Sequence, residues 1–173
     1  MKNRVLVIYK SKTGFTEQYA RWICEALNGD RVSYEKRNSI SWKDYDTIIY
    51  GGGFHAGQIG GLAWFKSRWP ELEGKTKIVF ATGATPAKAP AVEEALKQNF
   101  TDEEWNQVQV FYMQSGLSYE KMGIGDRLMM AAFRKMLKKK EGESEAYKMV
   151  QNSYDYSSEA FIQPLVDYCR KME

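Results

Sequence analysis

Cysteine and histidine are almost missing from this sequence: Cys24 and Cys169 are its only thiols and His55 its only imidazole. The two cysteines stand far apart with no metal-ligand spacing, so neither a disulfide framework nor a clustered metal centre is indicated. Cys24 falls inside a helical pattern and reads as a buried apolar filler. Proline is limited to four residues, and no Pro/Ser-rich linker or internal repeat divides the chain. No apolar run is long enough to span a bilayer, and no signal peptide precedes the first apolar run at Arg4, so the expected setting is the reducing cytoplasm. Charge of one sign is lacking too: 25 Lys and Arg against 22 Asp and Glu leave +3. That balance gives no case for nucleic acid as a partner. No G-x-x-x-x-G-K-[ST] motif is present, so Mg²⁺–nucleotide chemistry has no support. No spaced acid–base pair or nucleophile is visible either.

What is present is an alternation of short apolar runs and helical patterns. A chain of 173 residues, 43% hydrophobic and 27% charged, suits one globular domain over 1–173. Arg4 to Tyr9, Thr47 to Tyr50, Lys77 to Ala81 and Val108 to Met113 read as strands buried on both faces. Arg31 to Lys36 alternates weakly, as an edge strand would. Helical spacing covers Gly14 to Leu27, closed by Asn28-Gly29, then Gly61 to Trp69 before Pro70, and Pro90 to about Asn99. A last helix is expected over Tyr156 to Met172. The fold class expected is α/β: a doubly wound, five-stranded parallel sheet with helices on both faces, and a late insertion at about 115–142.

In such sheets ligands bind beyond the carboxyl ends of the strands, where strand order reverses. Three loops should therefore converge there: Ser11 to Thr16, Gly51 to Gly60 and Ala81 to Pro86. The first is the most telling. A buried strand, a hydroxyl-rich turn and a helix N-terminus make an anion site, because the first helical amides lack intrahelical partners and the dipole favours negative charge. Ser11, Thr13 and Thr16 add hydroxyls, and Gly14 lets the backbone approach a ligand. The plainer reading of these residues is an ordinary helix N-cap.

Other features also admit more than one reading. Gly51-x-Gly53-x-x-Ala56 matches a degenerate dinucleotide fingerprint, but it ends a middle strand and Glu71 and Glu73 precede the next strand instead of ending one. His55 is structural or merely exposed, stacks or hydrogen-bonds beside a ligand ring, or takes a direct redox role, the ring-side placement being preferred to the redox one. Trp64, Phe65 and Trp69 fall at helical spacing and read as core. Leu128, Met129, Ala132, Phe133, Met136 and Leu137 form a stripe with Arg127, Arg134, Lys135 and Lys138 off it. Such a helix either covers the sheet edge or offers a surface to an anionic membrane or acidic partner.

The spacing Ser11-x-Thr13-Gly14-x-Thr16 resembles the FMN phosphate loop of flavodoxins, with Phe15 where those proteins usually carry asparagine. The whole chain is similar to the flavodoxin-like superfamily. Within it, Ser115-Gly116-Leu117-Ser118-Tyr119 followed by the basic helix 126–140, Gly142 and Glu143 resembles the menaquinone-dependent protoporphyrinogen dehydrogenases. The superfamily resemblance implies FMN, held by Ser11, Lys12, Thr13, Gly14, Phe15, Thr16, Gly53, Phe54, His55, Ala56, Gly57, Thr82, Gly83, Ala84 and Thr85. Phe54 and His55 would supply one face of the ring, and Gly53 and Gly57 would be the glycines able to turn a peptide toward it, Gly53 at positive φ. It implies electron transfer with a redox partner protein or quinone. The branch resemblance implies oxidation of a tetrapyrrole with electrons passed to a quinone, by a cytoplasmic protein peripheral at the inner face of the membrane through helix 126–140.

Overall fold

The structure is a computed structural model describing residues 3–172. Strand β1 (Val5–Lys10) sets its plan. Val5 and Val7 pack into one apolar cluster, with Tyr19, Ile23, Ile49, Phe80 and Leu165; Leu6 and Ile8 pack into another, with Ile48, Tyr50, Phe65, Val79 and Leu96. Successive side chains of a strand point to opposite faces, so this division means that both faces of the sheet are covered.

The parallel strands β1, β2 (Asp30–Ser33), β3 (Thr47–His55), β5 (Thr76–Gly83) and β6 (Gln109–Gln114) lie in the order β2-β1-β3-β5-β6. Val7 stands beside Ile49 and Ile49 beside Ile78. The order reverses between β1 and β3, which places the switch point at their carboxyl ends. Helices α1 (Phe15–Leu27) and α7 (Gln163–Arg170) cover one face; α2 (Leu62–Ser67) and α3 (Pro90–Lys97) cover the other. A short α4 (Asp102–Trp105), closed by a reciprocal capping box between Thr101 and Glu104, leads into β6. The doubly wound α/β architecture expected from the sequence is therefore present.

Several elements differ from expectation. The Gly51–Gly60 segment is not a free loop: β3 runs on to His55 and folds back as β4 (Gln58–Ile59), pairing Phe54 with Ile59 and His55 with Gln58. The edge strand stops at Ser33, and Tyr34–Ser39 winds into a 3-10 helix. The last helix begins only at Gln163, with Pro164 in its first turn, after a 3-10 segment whose start Ser158 caps by accepting from the Ala160 amide. Cys24 packs against the core but is only half-buried, its thiol donating to the Gly29 carbonyl, and Cys169 is the buried cysteine.

The late excursion leaves through β7 (Gly116–Leu117), makes a 3-10 turn at Tyr119–Lys121, and forms α5 (Ile124–Glu141) and α6 (Glu145–Met149). It returns through β8 (Tyr154–Asp155), which pairs antiparallel with β7. Helix α5 does not bury its apolar stripe. Only Leu137 of the stripe is buried, and the inner face is Asp126, Met130, Arg134 and Leu137, recurring at three- and four-residue steps. Ile124, Leu128 and Met136 are 82%, 67% and 53% exposed. Among the described residues no helix is long and apolar enough to cross a membrane.

Candidate functional site

The turn after β1 is built around Gly14, the N-cap of α1, whose φ of 93° is left-handed. Its amide donates to Ser11 Oγ at 3.1 Å, which closes the turn and leaves the Ser11 hydroxyl proton available. No side chain caps α1. The plain N-cap reading of the hydroxyls therefore fails. The first amides of a thirteen-residue helix are left to an external acceptor, where the macrodipole adds its positive end. Among the described residues no hydrogen bond occupies the Thr13 hydroxyl. Thr16 is different: buried, its Oγ1 shares a 2.8 Å hydrogen bond with Thr82 Oγ1 at the end of β5.

That bond joins two of the three loops, and the third meets it there. A Cβ at Gly53 would lie 3.5 Å from Thr16 Oγ1 and 3.6 Å from Thr82 Oγ1, ordinary contact distances. Gly53 itself is in β3 with no positive φ, contrary to the expected left-handed backbone. The left-handed residues are Ala56 (φ 49°) and Gly57 (φ 79°), the two-residue tip of the β3–β4 hairpin. The Gly57 carbonyl accepts from Asn99 Nδ2 at 3.0 Å, and Asn99 Oδ1 accepts from the Ile59 amide at 2.9 Å, so turning that peptide would cost a hydrogen bond.

A groove of about 1080 Å³ runs between these loops. All the residues expected at the site line it except Ser11 and Gly14, which shape the turn through their mutual hydrogen bond. Others that line it were not expected. Tyr112, from β6, lies 6.0 Å from Phe54 between ring centroids, and its hydroxyl donates to the Thr85 carbonyl at 2.7 Å. Burial pushes its phenol well above the ordinary range. Trp64 packs against the core as expected but also reaches the groove, and Met122, Asp126, Met129 and Met130 bring in a wall from the excursion. A single tyrosine late in a strand and methionines on a helix carry no mark in sequence that would separate them from core.

Asp126 ties the excursion to the site. One carboxylate oxygen lies 2.8 Å from His55 Nε2 and the other 3.4 Å from Lys12 Nζ. The His55 hydrogen bond first, and the Lys12 charge against a small burial cost, hold this carboxyl below its usual range. His55 thus bridges the hairpin tip to α5.

The sequence model of the flavodoxin domain matches residues 6–144. No curated protein matches the chain. Solved structures of similar shape include a flavodoxin, WrbA-like protein from Agrobacterium tumefaciens, 17% identical with a TM-score of 0.45, the match covering 72% of this chain and 87% of that one. The Trp repressor binding protein from Bacillus subtilis is 14% identical with a TM-score of 0.43, over 64% and 83% of the two chains. An FMN-dependent NADH-azoreductase from Bacillus anthracis, in complex with FMN, is 10% identical with a TM-score of 0.41, over 87% and 100%.

Proposed function

The chain belongs to the flavodoxin domain family, and from that premise we propose that it binds FMN non-covalently in the groove and exchanges electrons with a separate partner. The observation that carries this reading is the uncapped N-terminus of α1 behind a left-handed Gly14. An anion there meets helical amides, the free Thr13 hydroxyl and the Ser11 proton, which is the chemistry a flavin phosphate needs. The Gly53–Gly57 hairpin and the Thr82–Thr85 loop would flank the ring, with Phe54 and Tyr112 as the aromatic groups. Thr16 and Thr82 hold the two loops at a fixed separation. When bound, FMN supplies the redox chemistry; the protein supplies orientation and excludes water.

Titration with FMN and with riboflavin tests the phosphate assignment. The protein should prefer FMN, and Thr13→Ala should remove part of the preference, since a hydrogen bond to a charged acceptor contributes about 1.5–3 kcal/mol. Equal affinity for the two flavins would sink the assignment.

A second reading is oxidation of a bulky tetrapyrrole with electrons passed to a quinone. One observation favours it: the groove continues past the ring loops to an apolar wall of Met122, Met129 and Met130, adaptable side chains suited to a large ligand. Turnover of protoporphyrinogen with menadione, set against ferredoxin-linked reduction, separates the two.

The exposed stripe of α5 is the proposed partner face, a peripheral contact with an anionic membrane. Its apolar side chains stand beside exposed Arg127, Lys135, Lys139 and Lys140, as expected of a helix lying in an interface.

A further inference from the structure

A cation stands at the N-terminus of α1 that does not come from the loop that follows β1. Lys12, the basic residue of that loop, turns its ammonium to Asp126 at 3.4 Å. Lys121 takes the position instead: its Nζ lies 3.3 Å from where a Cβ on Gly14 would stand. It arrives from the excursion, 107 positions further along the chain. Its turn is held in place, since the Lys121 amide donates to the Ser118 carbonyl at 3.2 Å and the Tyr119 amide to Ser153 Oγ at 3.0 Å. Among the described residues Lys121 forms no ion pair, so its charge is uncompensated directly over an uncapped helix end. Two positive potentials, the end of a helix dipole and an ammonium, repel each other unless an anion lies between them.

We infer that Lys121 is a binding residue for the cofactor's phosphate, so that the excursion completes the anion site that the β1–α1 turn begins. The inference rests on the FMN reading above. Asp126 is a positioning residue in this arrangement: by drawing Lys12 aside and holding His55, it fixes the excursion over the loop. The charge that selects a phosphorylated flavin thus comes from the excursion and not from the β1–α1 loop.

The test is a flavin titration of the full chain at low salt, using wild type, Lys121→Gln, Lys121→Arg and, as a control of equal charge change, Lys43→Gln. Lys43 is exposed in the 3-10 turn before β3, at the amino end of the sheet. Lys121→Gln should weaken FMN roughly three- to tenfold, the range between an exposed ion pair and a charge-assisted hydrogen bond. Riboflavin affinity should not change, Lys121→Arg should keep most of the FMN preference, and Lys43→Gln should behave as wild type. The gap between Lys121→Gln and wild type should narrow as salt is raised. If wild type prefers FMN over riboflavin and Lys121→Gln keeps the same preference, the inference is overturned while the FMN reading stands. An equal loss in Lys43→Gln also overturns it, because net charge alone would then explain the effect. If wild type binds neither flavin, both fall together.

Discussion

Ala56 and Asn28 are the non-glycine residues with positive φ among the described residues, and of the two alanine is the less suited to it. With φ at 49° Ala56 is in left-handed backbone, as the first of two residues joining β3 and β4. Two-residue hairpins closed by a type I′ turn need positive φ at both central positions, which is why Asn-Gly and Gly-Gly are favoured there and alanine is not. The Cβ of an L-residue in that region costs about 1–2 kcal/mol. Asn99 holds the hairpin against this cost through bonds to both Gly57 and Ile59. Ala56→Gly should therefore stabilise the protein by about 0.5–1 kcal/mol, after the extra freedom glycine gives the unfolded chain is subtracted. Urea melts measure this, and a lower midpoint at unchanged slope would show that the backbone is not strained there. Thr16 and Thr82 are a second case of residue chemistry invisible in sequence. Both belong to the expected site, but their hydroxyls bond each other at 2.8 Å across a spacing of 66 residues. Sequence shows that a hydroxyl is present. It does not show which of its partners is already inside the protein.

At the scale of elements, the excursion depends on its base. Gly116 in β7 faces the backbone of β8 so closely that a Cβ would stand 1.9 Å from the Tyr154 carbonyl oxygen. That contact is with backbone, which cannot rotate aside. Gly116→Ala should break the β7–β8 pairing and loosen the segment between 116 and 155, leaving the parallel sheet folded. Hydrogen exchange should show lost protection confined to that segment, with the amides of β1, β3 and β5 unchanged; uniform loss across the sheet would mean the excursion is part of the main cooperative unit. The parallel strands themselves were legible, because burial on both faces demands unbroken apolar runs such as Val5 to Ile8 and Ile78 to Ala81. The β3–β4 hairpin was not, since Gly51-Gly52-Gly53 carries no strand signal and the pairing is fixed by Asn99, 40 residues away from Ile59. The first loop was legible from its local residues alone as a glycine-centred, hydroxyl-rich turn opening a helix. Lys121 and Asp126 were not, for helical periodicity reports which face is apolar but not which loop an inserted helix crosses. The Lys12–Asp126 contact spans 114 residues.

For the molecule as a whole, the small net charge conceals a division. Helix α5 (Ile124–Glu141) carries six Lys and Arg against Asp126 and Glu141, a net of +4. The whole chain carries +3, so the remaining 155 residues net −1. A nearly neutral body with one basic helix has a directional field, and that field would turn α5 toward any anionic surface before contact. The same helix exposes Ile124, Leu128, Met129, Phe133 and Met136, so the face presented first is also the one with apolar surface to bury. Met129 lines the groove as well, so this face and the groove share a side chain. Arg134 and Lys138 are partly engaged within the excursion, over the Tyr119 and Tyr147 rings, leaving Lys135, Lys139 and Lys140 as the freer charges. Each basic residue near an anionic leaflet contributes about 1 kcal/mol. Changing those three to glutamine should lower partitioning onto phosphatidylserine-containing liposomes by one to two orders of magnitude at low salt, roughly the sum of three such terms after screening. Leu128→Ser with Met136→Ser should weaken partitioning in a way that added salt does not mask, because that part of the attraction is apolar. FMN affinity in solution should be the same in both sets, since none of these side chains lines the groove. If the wild type stays in the supernatant with anionic liposomes at low salt, the membrane contact is wrong. The exposed stripe is then left for a soluble protein partner, and the electron-carrier reading gains.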